Sequence, residues 1–513
     1  MILYNHQVRF RLMVVLLLAT TFAGCKKFLD TQRQGAYTAD NYPYPGGSGP
    51  YDQFLFGAYN DLRGYNVHAD AFIVTTSIRS DDADKGSTPS DGGASVFEME
   101  NFPVTPSNGR ANNIWVAYYG LINKCNSALV NVDTLQNITA SEEVKLQTKA
   151  EARFIRAYGY FMLVRLFGNI PIIDTIYADV TAQPFVPQSQ PAQVYAFIED
   201  DLNFAAQHLP DSWSSEFIGR VTRGAANGLL AKVYLTQKKW AQAAAAAGAV
   251  MSSGMYDLSV AYNDIFSEQG ENSKESVFEV QATASATTPT GNGVQYSSIQ
   301  GVRGTGIWNN GWGWNTPSDV LEAAYEPGDP RKARTILYSS TATQTNTSMY
   351  GEQMPVYPSQ VPNPKYNHKV LGNPSMRNSI SRGCWWMNVR LLRYADVLLM
   401  YAEAQNEAGN SDTARRVVNR VRERARRGAS SGVLPDITTT NQSELRAAIR
   451  HERRIELAME HDRFFDLVRW GIAQQAMHAA GKTNFSDNRD VLLPIPQVQR
   501  DLSDNRLVQN PGY

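Results

Sequence analysis

The chain has 513 residues, 43% of them hydrophobic and 11% aromatic, with a formal net charge of −1. That length is ample for one large core or two fused regions. The balanced charge excludes a global basic field of the kind that draws nucleic acid.

The N-terminus carries His6, Arg9 and Arg11 and then the apolar run LMVVLLLAT. The run is too short to cross a bilayer and reads as a secretory signal over residues 1–24. It ends in FAGCKKFLD. Ala23 and Gly24 placed before Cys25 resemble a bacterial lipoprotein cleavage site, although Phe22 stands where leucine is more usual. Cys25 is the expected lipidation site and the first residue of the mature chain. Residues 25–50 are polar and rich in Gly, Pro and Tyr, as suits a tether. The other two cysteines, Cys125 and Cys384, are either a disulfide or two buried thiols. No CxxC pair supports a zinc ribbon or a thioredoxin-type site.

Residues 51–254 read as helical. QTKAEARFIRAYGYFMLVRLFGNIP is apolar nearly all round, so its helix is buried among others, and Gly168 and Pro171 end it. Two later stretches repeat one pattern. Ala231 and Ala243 flank a polar turn at Lys238 and Lys239, and Ala402 and Ala414 flank the turn from Gly409 to Asp412 at the same offset. Small residues so placed let antiparallel helices pack closely, as in tetratricopeptide repeats. The basic run ARRVVNRVRERARRG ends a helix at Gly428, and its arginines read as a solvated, ion-paired face. In HERRIELAMEHDRFFDLVRWG, Glu452, Glu456 and Glu460 recur every four residues beside Arg453, Arg463 and Arg469, which reads as scaffold.

Residues 255–390 change character: rich in Gly, Ser, Thr, Asn, Pro and aromatics, they predict long loops and short strands set into the helical frame, and residues 391–513 return to helix. Recognition usually sits on loops held this way. GIWNNGWGWN places Trp308, Trp312 and Trp314 together, and RGCWWMNV adds Trp385 and Trp386. An indole face can cover the flat C–H face of a pyranose while amides such as those of Asn309 and Asn310 meet its hydroxyls. About half of such rings are expected to anchor loops instead. Trp308 is the first choice for exposure because two asparagines follow it. Tyr65 and the loop SIRSDDADKGSTPSDGG form a second candidate region. There Asp81, Asp82 and Asp84 offer a weak Ca²⁺ reading or, with Arg79 and Lys85, hydroxyl recognition, against an ordinary exposed turn. No other cofactor is expected.

Five stretches from Cys25 to Tyr513 then carry a likeness to a known family: CKKFLDT, AEARFIRAYGYFMLVRLFGNIP, RYADVLLMYAEAQNEAG, ERRIELAMEHDRFFDLVRWG and the terminal LLPIP…RLVQNPGY. The chain resembles the SusD/RagB outer-membrane lipoproteins, and GWGWNTPSDVLEAAYEPGDPRKAR resembles the stretch leading to that family's Gly-Asp-x-Arg turn. His461-Asp462 departs from the pattern, which leads this turn with glycine. The resemblance implies a mainly α, tetratricopeptide-like scaffold with an irregular aromatic-bearing region. It also implies a lipid-anchored protein on the outer face of the outer membrane. Such a protein captures oligosaccharides, or in a minority of members peptides, for a SusC-type TonB-dependent transporter. It implies no catalytic machinery.

Enzyme signals are weak beside this. GASSG, Gly428 to Gly432, matches the nucleophile elbow only formally, since that motif needs a strand before it and a helix after it. HERRIE lacks the second histidine of a zinc protease. A secreted glycan-processing enzyme remains the rival class, and the acidic loop would have to supply its carboxylates.

Overall fold

The computed structural model describes residues 49–135, 138–176, 185–284, 292–341, 348–373, 376 and 385–513. The signal segment, Cys25 and Cys384 lie outside the described residues. The fold is mainly α. The longer helices are α1 (Asp52–Leu62), α2 (Gly93–Asn101), α3 (Gly109–Thr134), α4 (Glu142–Phe167), α5 (Pro191–His208), α6 (Arg223–Thr236) and α7 (Trp240–Ser252) in the first half. In the second half they are α8 (Tyr394–Glu407), α9 (Ser411–Ala425), α10 (Gln442–Glu456) and α11 (Arg463–Trp470).

Helix α4 is buried along most of its length, as its all-round apolar pattern requires, and it packs between α3 and α5. Asn108 caps α3 by accepting from the backbone of Arg110 and Ala111, and Ser141 caps α4 through Val144 N–H. The alanine repeat is a packing device. Ala231, Ala243, Ala402 and Ala414 are all fully buried, and α6–α7 and α8–α9 are close helix pairs that also meet each other through α7 and α8. Cys125 is buried inside α3. One apolar core runs from Leu55 to Leu507.

The inserted region contributes short antiparallel ladders rather than a closed sheet. β1 (Ala83–Gly86) pairs with β3 (Trp314–Pro317), and β2 (Ser276–Val280) pairs with β6 (Val389–Arg393). Between them, β4 (Ile336–Tyr338) pairs with β5 (Lys365–Asn367).

Charged groups lock this region to the helices. Arg331, of the GDPR turn, donates to Asp329, Glu452 and Glu456. Arg393 reaches Glu275, Glu456 and Glu460, and Arg424 reaches Glu456. The three glutamates of α10 and its end therefore face a buried ion network. The basic run of α9 is only partly a solvated face. Arg416, Arg420 and Arg427 are exposed, whereas Arg422 and Arg424 turn inward, because α9 packs against the acidic side of α10.

Candidate functional site

The ladder between β1 and β3 joins the two regions that the sequence singled out. Gly86 stands opposite Trp314. Its φ is +73°, and a Cβ there would lie 2.4 Å from the Gly313 carbonyl oxygen, so only glycine permits this approach. Beyond β1 the chain turns through Ser87–Gly92, and Lys85 fixes that turn. Its ammonium donates to the carbonyls of Gly86, Thr88 and Asp91, at 3.1, 2.7 and 3.2 Å.

The turn delivers Asp91 to Trp314. The indole N–H of Trp314 donates to Asp91 Oδ2 at 3.0 Å, Ser87 Oγ donates to the same oxygen at 2.8 Å, and Arg303 pairs with it. Burial pushes the Asp91 carboxyl up, but these donors and the Arg303 charge outweigh it and hold it below the usual carboxylate range. Trp314 is 2% exposed. Trp312 is half-buried and meets Trp314 edge-on, and Tyr65 stands 6.2 Å from Trp312, centroid to centroid, tilted by 58°.

Beside them opens a groove of about 480 Å³ whose walls are Asp91, Gly92, Arg110, Arg303, Asn309, Gly311, Trp312 and Trp314. Arg110 enters from the first turn of α3 and pairs with buried Asp70, its Nε 3.1 Å from Oδ2. Tyr65 stands beside this pair; burial and the Asp70 charge push its phenol up, so it remains a neutral hydroxyl. The groove thus has an aromatic wall and two carboxylate–guanidinium pairs along its edge.

Other candidates lie elsewhere. Trp308 is 6% exposed, contrary to expectation. It ends the single 3-10 turn Gly306–Trp308, in which Ile307 is exposed and Trp308 joins the main apolar core. Asn309 is exposed and lines the groove, while Asn310 is buried. Trp385 and Trp386 stack on each other at 4.5 Å in a small separate core with Ala284 and Met387, and Trp386 donates to Glu268. They anchor loops.

The acidic loop is scaffold rather than a ligand site. Arg463 grips Asp81 through Nε and Nη2, at 2.8 and 2.7 Å, and Arg454 grips Asp82. Arg79 is fully buried, donates to the Asp490 carbonyl and lies 4.3 Å from the centre of the Phe464 ring. Asp84 is exposed and lacks Asp81 and Asp82 as partners for a cation. Among the described residues no group of three or more His, Cys, Asp or Glu side chains could hold a metal ion. Lys85 shapes the groove from beneath instead of facing it.

Sequence reasoning missed Asp91, Arg110 and Arg303. Asp91 and Gly92, within SDGG, carried a turn signal, and Gly92 is left-handed at φ +79° against the Trp314 ring. The two arginines carried no local signal.

A helical scaffold thus presents an open groove with an aromatic wall, edged by paired charges. The comparisons give its lineage. The SusD family description matches residues 274–513, and a second, "Starch-binding associating with outer membrane", matches residues 52–235. "SusD-like protein P2" of Formosa agariphila is 31% identical, over 89% of this chain and 91% of its own. A "SusD-like protein" of Bacteroides ovatus is 27% identical, over 73% of this chain and 68% of its own. The solved structure of a "Laminarin binding SusD-like protein" superposes with a TM-score of 0.74 at 28% identity, covering 90% of this chain and 99% of that one. The chain belongs to the SusD/RagB family.

Proposed function

We propose that this protein captures oligosaccharides at the cell surface in the groove walled by Trp312 and delivers them to a SusC-type TonB-dependent transporter, held to the outer membrane through a lipid on Cys25. The half-buried Trp312, backed by Trp314 and flanked by Tyr65, carries this reading. An indole so placed offers one face to a sugar ring, and the charged pairs beside it can exchange hydrogen bonds with hydroxyls. The name of the laminarin-binding relative supports a glycan ligand, and the outer-membrane description of residues 52–235 supports the location.

Capture without cleavage fits the groove better than catalysis. Glycoside hydrolysis ordinarily uses two carboxyl groups across the scissile bond. Here Asp91 is the carboxylate on the groove wall, and Asp70 behind Arg110 is 2% exposed. The test is titration of full-length protein in detergent against a panel of oligosaccharides and a panel of peptides, with chromatography of the ligands afterwards. Binding of intact glycan that Trp312→Ala weakens is expected. Cleaved products, or binding of peptides alone, would overturn the reading.

A further inference from the structure

We infer that the groove selects uncharged, hydroxyl-rich sugars over uronate or sulfated ones, and that Asp91 sets this preference. The inference rests on the glycan reading above and narrows it to a substrate class.

The argument starts from how the charges are paired. Two guanidinium groups line the groove, which alone would suggest an anionic ligand. Each already has its own carboxylate: Arg303 has Asp91 and Arg110 has Asp70. An anion entering here would meet guanidinium charges already neutralised, and it would sit beside a fixed carboxylate.

Asp91 is the asymmetric member. Its Oδ2 receives Trp314, Ser87 and Arg303, whereas Oδ1 receives no hydrogen bond among the described residues, and the side chain is 26% exposed. A carboxylate oxygen accepts and cannot donate. It is satisfied by a ligand O–H and repelled by a ligand carboxylate or sulfate, which brings charge and no proton.

Arg303 completes the pattern as a donor, since Arg110 is already spent on Asp70, Ser95 and the Gly92 carbonyl. Arg303 spends Nη1 on Asp91 and Ser87, its remaining N–H groups have no partner among the described residues, and its side chain is 42% exposed. One open acceptor beside open donors matches a vicinal diol, whose hydroxyls both give and receive. The Asp91 carboxyl is held below the usual range, so the acceptor stays ionised at neutral pH.

The test uses full-length protein in detergent and beads bearing neutral polysaccharides, polyuronates or sulfated polysaccharides. The expected result is retention on one or more neutral polysaccharides, lost in Trp312→Ala, with the acidic ones at least about tenfold weaker. Asp91→Asn is expected to weaken neutral retention by roughly tenfold, the loss of one charge-assisted hydrogen bond, and to narrow the gap to polyuronates. Retention on an acidic polysaccharide that depends on Trp312 and fades with salt overturns the selectivity and leaves glycan capture standing. An unchanged neutral-to-acidic ratio in Asp91→Asn overturns the role of Asp91. Failure to retain any glycan, or retention indifferent to Trp312→Ala, overturns glycan capture and this inference with it.

Discussion

The indole of Trp314 meets that of Trp312 edge-on, with ring centroids 5.1 Å apart and planes at 77°. The contact divides labour between two residues that look alike in the sequence. Trp314 is buried and tied to Asp91, so it supports the wall; Trp312 keeps part of its ring in the groove.

Alanine at these two positions should therefore separate binding from stability. Trp312→Ala should weaken glycan binding by about 1–3 kcal/mol and leave thermal stability nearly unchanged. Trp314→Ala opens a cavity and removes one of the three donors to Asp91, so it should cost about 3–5 kcal/mol of stability and lower affinity as well. Calorimetric titration and denaturant melts of both variants check this. Equal stability losses would show that the two rings share one role.

Much of the scaffold was legible because helices write their packing locally. The alanine pairs flanking the turns at Lys238 and Gly409 and the apolar helix ending at Gly168 lie within a few turns of what they specify, whereas the caps at Asn108 and Ser141 emerged only in the structure. The groove was only half legible. Its tryptophans and Tyr65 stood out by type, yet in an irregular loop no period says which ring faces out, and one 3-10 turn sent Ile307 outward in place of Trp308. The acidic loop misled for another reason. The partners of Asp81 and Asp82 are Arg463 and Arg454, more than 370 positions away, and no local pattern announces them. His461 is the opposite case. The departure from glycine sits at φ +72°, the left-handed geometry that glycine would supply, and its ring is held by Tyr296, Thr76 and Phe72.

The buried ion network gives a second prediction. Glu456 is fully buried and accepts from Arg331, Arg393 and Arg424 at 3.2, 3.0 and 2.5 Å. Burial opposes its ionisation, but the three guanidinium charges prevail and hold its pKa at about 2. Glu456→Gln keeps the shape and removes the charge, leaving buried cations undercompensated. It should cost about 3–5 kcal/mol at neutral pH. Equilibrium unfolding in urea measures it, and a cost under about 1 kcal/mol would mean that the other acids of the network suffice.

A third prediction concerns the anchor. Cys25 follows a signal-like run and two small residues, and an acyl chain on it would supply membrane affinity that the tether lacks. Cys25→Ser should abolish acylation and move the protein out of the membrane fraction. Mass spectrometry of both forms and fractionation decide it. Absence of lipid on the wild type, with identical fractionation of the variant, would remove the anchor from the proposal.

Acid sensitivity gives the last prediction, through His68. Its Nδ1 lies 2.6 Å from the Leu62 carbonyl oxygen, which only an N–H can satisfy, so its Nε2 accepts from the Tyr158 hydroxyl at 2.6 Å. The ring is locked as one neutral tautomer. Burial lowers its pKa from 6.5 to about 4, while the Leu62 carbonyl opposes the shift. A histidine whose folded pKa lies below its unfolded value stabilises the fold above pH 6.5. That stabilisation is lost as pH falls toward 4, at about 1.4 kcal/mol per pH unit. Other groups titrate in the same range, among them His461, lowered to about 3, and Glu271, raised to about 7. Both are shared by wild type and variant, so the difference between the two proteins isolates His68. Glutamine keeps a donor and an acceptor without the titration. His68→Gln should be less stable than wild type at pH 7.5, and the gap should close by about 1.4 kcal/mol at pH 5.5. Urea unfolding of both proteins at the two pH values reads this directly, and a gap that does not change with pH would show that His68 is not held neutral by the fold.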